Sequence, residues 1–173
     1  LQEHSIGAMK NFYGHFLVVV RALTYILSLG QEGIQHSSQL AVLNANYLYS
    51  LLDKRYQLAQ EVSFMHEFVL NLSNIKKDTG VSALDLSKGL IDYGIHPPTM
   101  YFPLSVPQAL MVEPTETESK ETLVMAANAF NELADLAYEN PEALHEMPIK
   151  QVITRVDEVK AARQPIIIDP LLE

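Results

Sequence analysis

Cysteine is absent from the 173 residues, so disulfide frameworks, thiolate metal sites and cysteine nucleophiles are excluded by inventory. Its absence does not fix the compartment, and a cytoplasmic location is the default expectation. Glycine is sparse: its seven copies are scattered, and none follows a strand in a G-x-G-x-x-G or Walker arrangement. Nucleotide binding through those loops is therefore not expected. Runs of lysine and arginine are also missing, and a formal charge of −9 would repel a phosphate backbone. Nucleic acid is not an expected partner. The most apolar stretch, Phe16 to Leu29, is interrupted by Arg21 and falls short of the roughly 20 residues that cross a bilayer, so it reads as a buried helix and no membrane is expected. No basic segment followed by an apolar core and cleavage site opens the chain, which starts at Leu1 and is expected to be a piece of something longer.

What is present suffices for a packed core: 48% of the residues are hydrophobic and 19% charged. The expected organisation is an α+β domain over residues 1–140, opening with a helical pair, followed by a C-terminal extension over 141–173. The first helix runs from Ala8 to Leu29 and stops at Gly30. A second, amphipathic helix carries Leu40, Leu43, Tyr47, Leu48, Leu51 and Leu52 on one face, and the two should run antiparallel. Alternation of Phe64, His66, Phe68, Leu70 and Leu72 predicts a strand inside a sheet. Ser82 with Asp85 three positions on starts a short helix that ends at Tyr93, before Gly94. Prolines at 97, 98, 103 and 107 limit the strands here to Thr99–Phe102 and Ala109–Val112. Thr115 with Glu118 reads as a capping box for a helix with the stripe Leu123, Ala126, Ala127, Phe130, Leu133, Ala134 and Ala137. Beyond Pro141, Arg155 to Arg163 is helix-compatible and Gln164 to Pro170 extended. This order points to a small antiparallel sheet with helices packed on one face.

Few residues carry chemistry in a recognisable pattern. His66 and Glu67 are adjacent in a predicted strand, on opposite faces, and cannot form a local ligand pair; a structural role fits His66 better. His96 lies in a rigid turn between Gly94 and two prolines, where it either contacts a ligand or hydrogen-bonds backbone. Of Glu113, Glu116, Glu118 and Glu121, most are explained by capping and by the helix dipole. Glu113 is the exception, because it ends a strand where functional side chains often project. Lys76, Lys77 and Lys88 fall in a polar turn or on a helix face, and none is nominated as a nucleophile.

Two runs are distinctive: Gly94-Ile95-His96-Pro97-Pro98-Thr99-Met100-Tyr101-Phe102-Pro103, and Leu110-Met111-Val112-Glu113-Pro114-Thr115-Glu116-Thr117-Glu118-Ser119-Lys120-Glu121-Thr122-Leu123. With Phe12–Ala22, Ala41–Tyr47, His66–Phe68 and Arg155–Arg163 they resemble the second subunit of decarboxylating glycine dehydrogenase, the P-protein of the glycine cleavage system. The sequence departs from that family where Gly14-His15-Phe16-Leu17 replaces the usual Gly-Asn-Phe-Gly and where Val124 replaces an aspartate. The resemblance implies the C-terminal small domain of a fold-type I pyridoxal-phosphate enzyme, an oxidoreductase that decarboxylates glycine and passes the aminomethyl group to the lipoyl arm of H-protein. It further implies a partner subunit 1, a Schiff-base lysine upstream of Leu1, and a chain that binds no cofactor and is inactive alone. By the same analogy His96, Thr99, Glu113, Thr115 and Glu116 lie nearest the active-site mouth. The alternatives are a non-catalytic acidic α+β interaction module and a metalloprotein using His66, His96 and the glutamates, for which no compact ligand spacing exists.

Overall fold

The computed structural model describes residues 3–7 and 12–168. The expected helix start at Ala8 and the end of the extended segment at Pro170 lie outside the described residues. The chain forms two compact units, Leu1–Ser38 and Gln39–Glu173.

The first unit is dominated by the beginning of α1 (Phe16–Leu51), a helical stretch broken at Gly30, whose backbone (φ 64°, ψ −175°) is not helical. Positive φ favours glycine, which has no Cβ to clash. The chain reverses here: the hydroxyls of Tyr25 and Ser37 are 3.3 Å apart, whereas a straight helix would separate residues 12 apart by about 18 Å. The residues of the expected second helix, Leu40 to Leu52, belong to the second unit. The buried reading of Phe16–Leu29 is corrected: Phe16, Leu17 and Leu27 are about three-quarters exposed, because no described segment covers them. Taken whole, α1 is long and apolar enough to cross a membrane, but its apolar half before Gly30 rises only about 21 Å, against a hydrocarbon core of about 30 Å.

The second unit holds the core. After α1 come β1 (Gln57–Leu58), β2 (Phe68–Asn71), α2 (Ser73–Thr79), α3 (Ala83–Asp92), β3 (Thr99–Met100), β4 (Ala109–Val112), α4 (Lys120–Glu139), α5 (Pro141–Glu146) and α6 (Glu158–Arg163). The sheet is fully antiparallel in the order β1-β2-β4-β3. Phe68 faces Val112 and Leu70 faces Leu110 across the central pair, and all four are buried. Period-two alternation puts them on one face, which packs beneath the stripe Leu123, Ala127, Phe130, Leu133, Ala134 and Ala137 of α4 and Leu86 and Leu90 of α3 in a single apolar cluster. This is the small antiparallel sheet with helices that the sequence pattern predicted.

Several local expectations are corrected. The strand read over 64–72 shrinks to β2, because β4 ends opposite Phe68 and offers no partner further out; His66 is exposed. The strand Thr99–Phe102 shortens to β3, since Tyr101 adopts a left-handed φ of 55°. Helix α4 begins at Lys120 behind the cap Ser119, whose hydroxyl accepts from Thr122 N–H, so Thr115–Glu118 is a preceding turn rather than a capping box and only Glu121 stands in the first turn. Of the two placements open for Lys76 and Lys77, polar turn or helix, the structure has the helix, α2. Leu43 is 60% exposed, and the covered face of α1 is Asn44, Ala45 and Leu48.

Polar ties hold the helical layer. Ser82 and Asp85 form the predicted capping box of α3. Asp85 also meets the Arg155 guanidinium at 2.8 Å, and Arg155 donates to the carbonyls of Leu144 and Met147. Two helical turns on, Asp92 accepts from Ile149 N–H at 2.6 Å and Lys150 N–H at 2.9 Å. The segment from α5 to Arg155 is thus clasped along α3 at both ends, and Leu144 is fully buried in the core.

Candidate active-site cleft

Gly94 ends α3 in a left-handed turn (φ 74°), with its N–H on the Ile91 carbonyl and that of Ile95 on the Leu90 carbonyl. The chain then passes His96-Pro97-Pro98 into β3, where Thr99 sits opposite Met111 of β4. Two residues past Met111, β4 delivers Glu113, and buried Pro114 turns the chain towards Thr115. Proline's fixed φ at 97, 98 and 114 leaves these loops few conformations. They form the walls of a cleft of about 600 Å³ whose lining includes His96, Thr99, Glu113, Thr115 and Glu118, with Leu48, Val112, Leu123, Met125, Ala126 and Phe130 as its apolar surface.

Four of the five residues singled out from the sequence are gathered around this cleft, although they span 20 positions of chain; Glu116 is half-buried and outside the lining. His96, Thr99, Glu113 and Thr115 are all exposed, as groups that meet a ligand must be. Their charge balance is acidic, with two carboxylates, one imidazole and no lysine or arginine in the lining. Among the described residues no three histidine, aspartate or glutamate side chains are grouped to hold a metal ion.

Sequence reasoning passed over the groups that fix the walls. The Asn44 amide donates to the carbonyl of Thr115 at 2.9 Å and of Glu118 at 3.2 Å, and Asn44 is only 8% exposed. Its position between Leu40 and Leu48, four residues from each, places a polar side chain on the covered helical face, which was the available signal. Asn131 similarly caps the end of α1, donating to the Leu51 carbonyl and accepting from Asp53 N–H at 2.8 Å. A neighbouring hollow on α4, sharing Met125, is lined by Tyr93, Lys120, Glu121 and Glu132. Burial and then a hydrogen bond with Glu132 push the Tyr93 phenol above its ordinary pKa.

The family model described as glycine dehydrogenase, C-terminal domain, matches residues 37–154. The chain belongs to this family. It is 61% identical over 163 residues to the probable glycine dehydrogenase (decarboxylating) subunit 2 of Treponema denticola, covering 94% of this chain and 34% of that protein. The same named subunit of Fervidobacterium nodosum is 49% identical over 94% of this chain and 34% of its own length, and that of Thermotoga maritima 46% over 95% and 35%. This glycine dehydrogenase C-terminal domain therefore spans about a third of the curated relatives it matches. A solved glycine decarboxylase (P-protein) of the glycine cleavage system, in inhibitor-bound form, shares the fold over 72% of this chain and 28% of its own, with a TM-score of 0.61 at 21% identity.

Proposed function

We propose that this chain is the C-terminal domain of a pyridoxal-phosphate-dependent glycine decarboxylase that releases carbon dioxide from glycine and hands the aminomethyl group to the lipoyl arm of H-protein. The observation that carries the reading is 61% identity across 94% of the chain to a probable decarboxylating glycine dehydrogenase subunit. The relatives' designation as a second subunit supports a partner subunit 1, and the proposed site of work is the cytoplasm.

Pyridoxal phosphate, bound elsewhere in the complete enzyme, would supply the electron sink that decarboxylation of an amino acid needs. The residues here do not fit its attachment: the cleft lining has no lysine for a Schiff base and no arginine for its phosphate. This domain's contribution is to close the mouth over glycine. The Pro97-Pro98 and Pro114 walls present rigid surfaces, and the apolar lining from Leu48 to Phe130 excludes water from the mouth. Glu113 and Glu118 favour an ammonium group, while His96 and Thr99 offer hydrogen bonds to a carboxylate. Alone, the chain is inactive.

The test is exchange of the glycine carboxyl with labelled carbon dioxide by the complete parent subunit, assembled with subunit 1, pyridoxal phosphate and lipoylated H-protein, beside the 173-residue chain. Exchange by the assembly and none by the chain is expected. No exchange under verified assembly would refute the proposal.

A further inference from the structure

The buried carboxamide of Asn44 does not face the cleft, yet it grips the segment that builds one wall. Its amide donates to two main-chain carbonyls, of Thr115 and Glu118. These flank a tight turn closed by Glu118 N–H on the Thr115 carbonyl at 3.2 Å and by the Thr115 and Thr117 hydroxyls at 2.7 Å. The turn lies between Glu113, where β4 has just ended, and Ser119, the cap of α4. No sheet ladder or helix reaches it. Asn44, more than 70 positions upstream, reaches two of its carbonyls from outside the turn. A carboxamide suits the task because its one nitrogen carries two protons and can serve two carbonyls at once.

We infer that Asn44 is a positioning residue for the cleft, holding the 113–119 wall so that Glu113 and Thr115 stand at the mouth in a fixed geometry. The inference rests on the proposed glycine-binding role of that cleft. A side chain placed this way acts through backbone, so its loss misplaces the wall by fractions of an ångström to an ångström, a scale at which binding and catalysis are already impaired. Asn44→Ala removes both donors, and Asn44→Ser retains one hydroxyl donor on a shorter arm.

The experiment uses the complete assembly carrying Asn44→Ala or Asn44→Ser, with two readouts. Amide hydrogen exchange of Thr115 to Ser119 should accelerate at least tenfold in Asn44→Ala and less in Asn44→Ser, while the β2 amides of Phe68 to Asn71 keep their wild-type rates. Per active site, the KM for glycine should rise at least fivefold in Asn44→Ala, with a smaller rise in Asn44→Ser. Unchanged exchange at Thr115 to Ser119 overturns the inference. So does a loosened wall with unaltered KM and kcat, or acceleration that extends equally to β2, which marks general destabilisation. If Asn44→Ala does not fold, Asn44→Ser decides by the same criteria. A wild-type assembly that shows no glycine exchange overturns the proposed function and the kinetic half of the inference, and the amides then decide the tether by themselves.

Discussion

Removing the Asp85 carboxylate should cost this fold more than any other single polar change, because one side chain joins three elements. Asp85 Oδ2 accepts from Ser82 N–H at 2.8 Å and from the Ser82 hydroxyl at 2.5 Å, closing the α3 cap. Its Oδ1 meets the Arg155 guanidinium at 2.8 Å and His145 Nδ1 at 3.4 Å. The carboxylate is 7% exposed and the Arg155 side chain 31%. Loss of a cap contributes about 0.5–2 kcal/mol. Stranding the partner of a fully buried pair costs about 3–5 kcal/mol, and the partial exposure of Arg155 places this case well below that range. About 3 kcal/mol in total follows for Asp85→Ala, a fall in Tm of roughly 6–12 °C for a domain of this size. Asp85→Asn keeps the shape and one acceptor and should cost about 1–2 kcal/mol. Because Asp85 and Arg155 share one bond, the loss in Asp85→Ala/Arg155→Ala should fall short of the sum of the single losses by about 1 kcal/mol. Thermal and urea unfolding of these variants and of Arg155→Ala measure this. A Tm change below about 2 °C for Asp85→Ala, or strict additivity, would refute the reasoning.

The same carboxyl sets a pH dependence. Burial raises its pKa, but hydrogen bonds from the Ser82 hydroxyl and amide, Arg155 and His145 outweigh burial and leave it below the ordinary carboxylate value. The unfolded chain then takes up the proton first as pH falls, so stability rises with pH across this window. The contribution is complete above the unfolded pKa of about 3.9 and is lost as pH drops through the folded value. The stability gap between wild type and Asp85→Asn should be flat from pH 7 to about 5 and close below about pH 4.

Further outcomes follow from the core and the cleft. Gly89→Ala places a Cβ 2.6 Å from Leu133 Cδ2 and 3.2 Å from Leu144 Cδ2, and such overpacking should cost about 1–3 kcal/mol in urea unfolding. Tyr56→Phe deletes a fully buried hydroxyl that donates to the Phe130 carbonyl at 2.6 Å, a loss of about 1–2 kcal/mol that calorimetry would detect. Glu113→Gln in the complete assembly should weaken glycine binding, read as a raised KM, with no change in Tm because the side chain is exposed.

The parts of the fold legible in the sequence were those with strong local signals. Ser82 and Asp85 announce α3, and the alanine-rich stripe from Leu123 to Ala137 announces α4. Strand β4 lies within its proline-free window. Elements without such signals were missed: β1 has two residues, too few to alternate, and α2 starts after Leu72 with no side-chain cap and buries only Ile75. Helix α5 carried a readable sign, Pro141 in its first turn. The misplaced start of α4 has a local cause: the Glu118 N–H bonds the Thr115 carbonyl and the Thr115 hydroxyl pairs with that of Thr117, so the two groups a capping box would have joined are taken up inside the turn. His96, in its proline-bounded turn, and Glu113, at a strand end, carried local signals, whereas Thr99 and Thr115 were singled out by the family resemblance alone; all four line one cleft. Its tether was not legible, because Asn44 looks like any polar residue until the covered face of α1 is known.

The central claim is that this cleft faces reacting glycine, and glycine–carbon dioxide exchange by the complete assembly with His96→Ala beside wild type tests it most directly. His96 is exposed at the cleft and makes no described hydrogen bond that folding would miss, so the variant should melt with wild type and exchange at least tenfold more slowly. Equal exchange rates from equally folded assemblies would contradict the account.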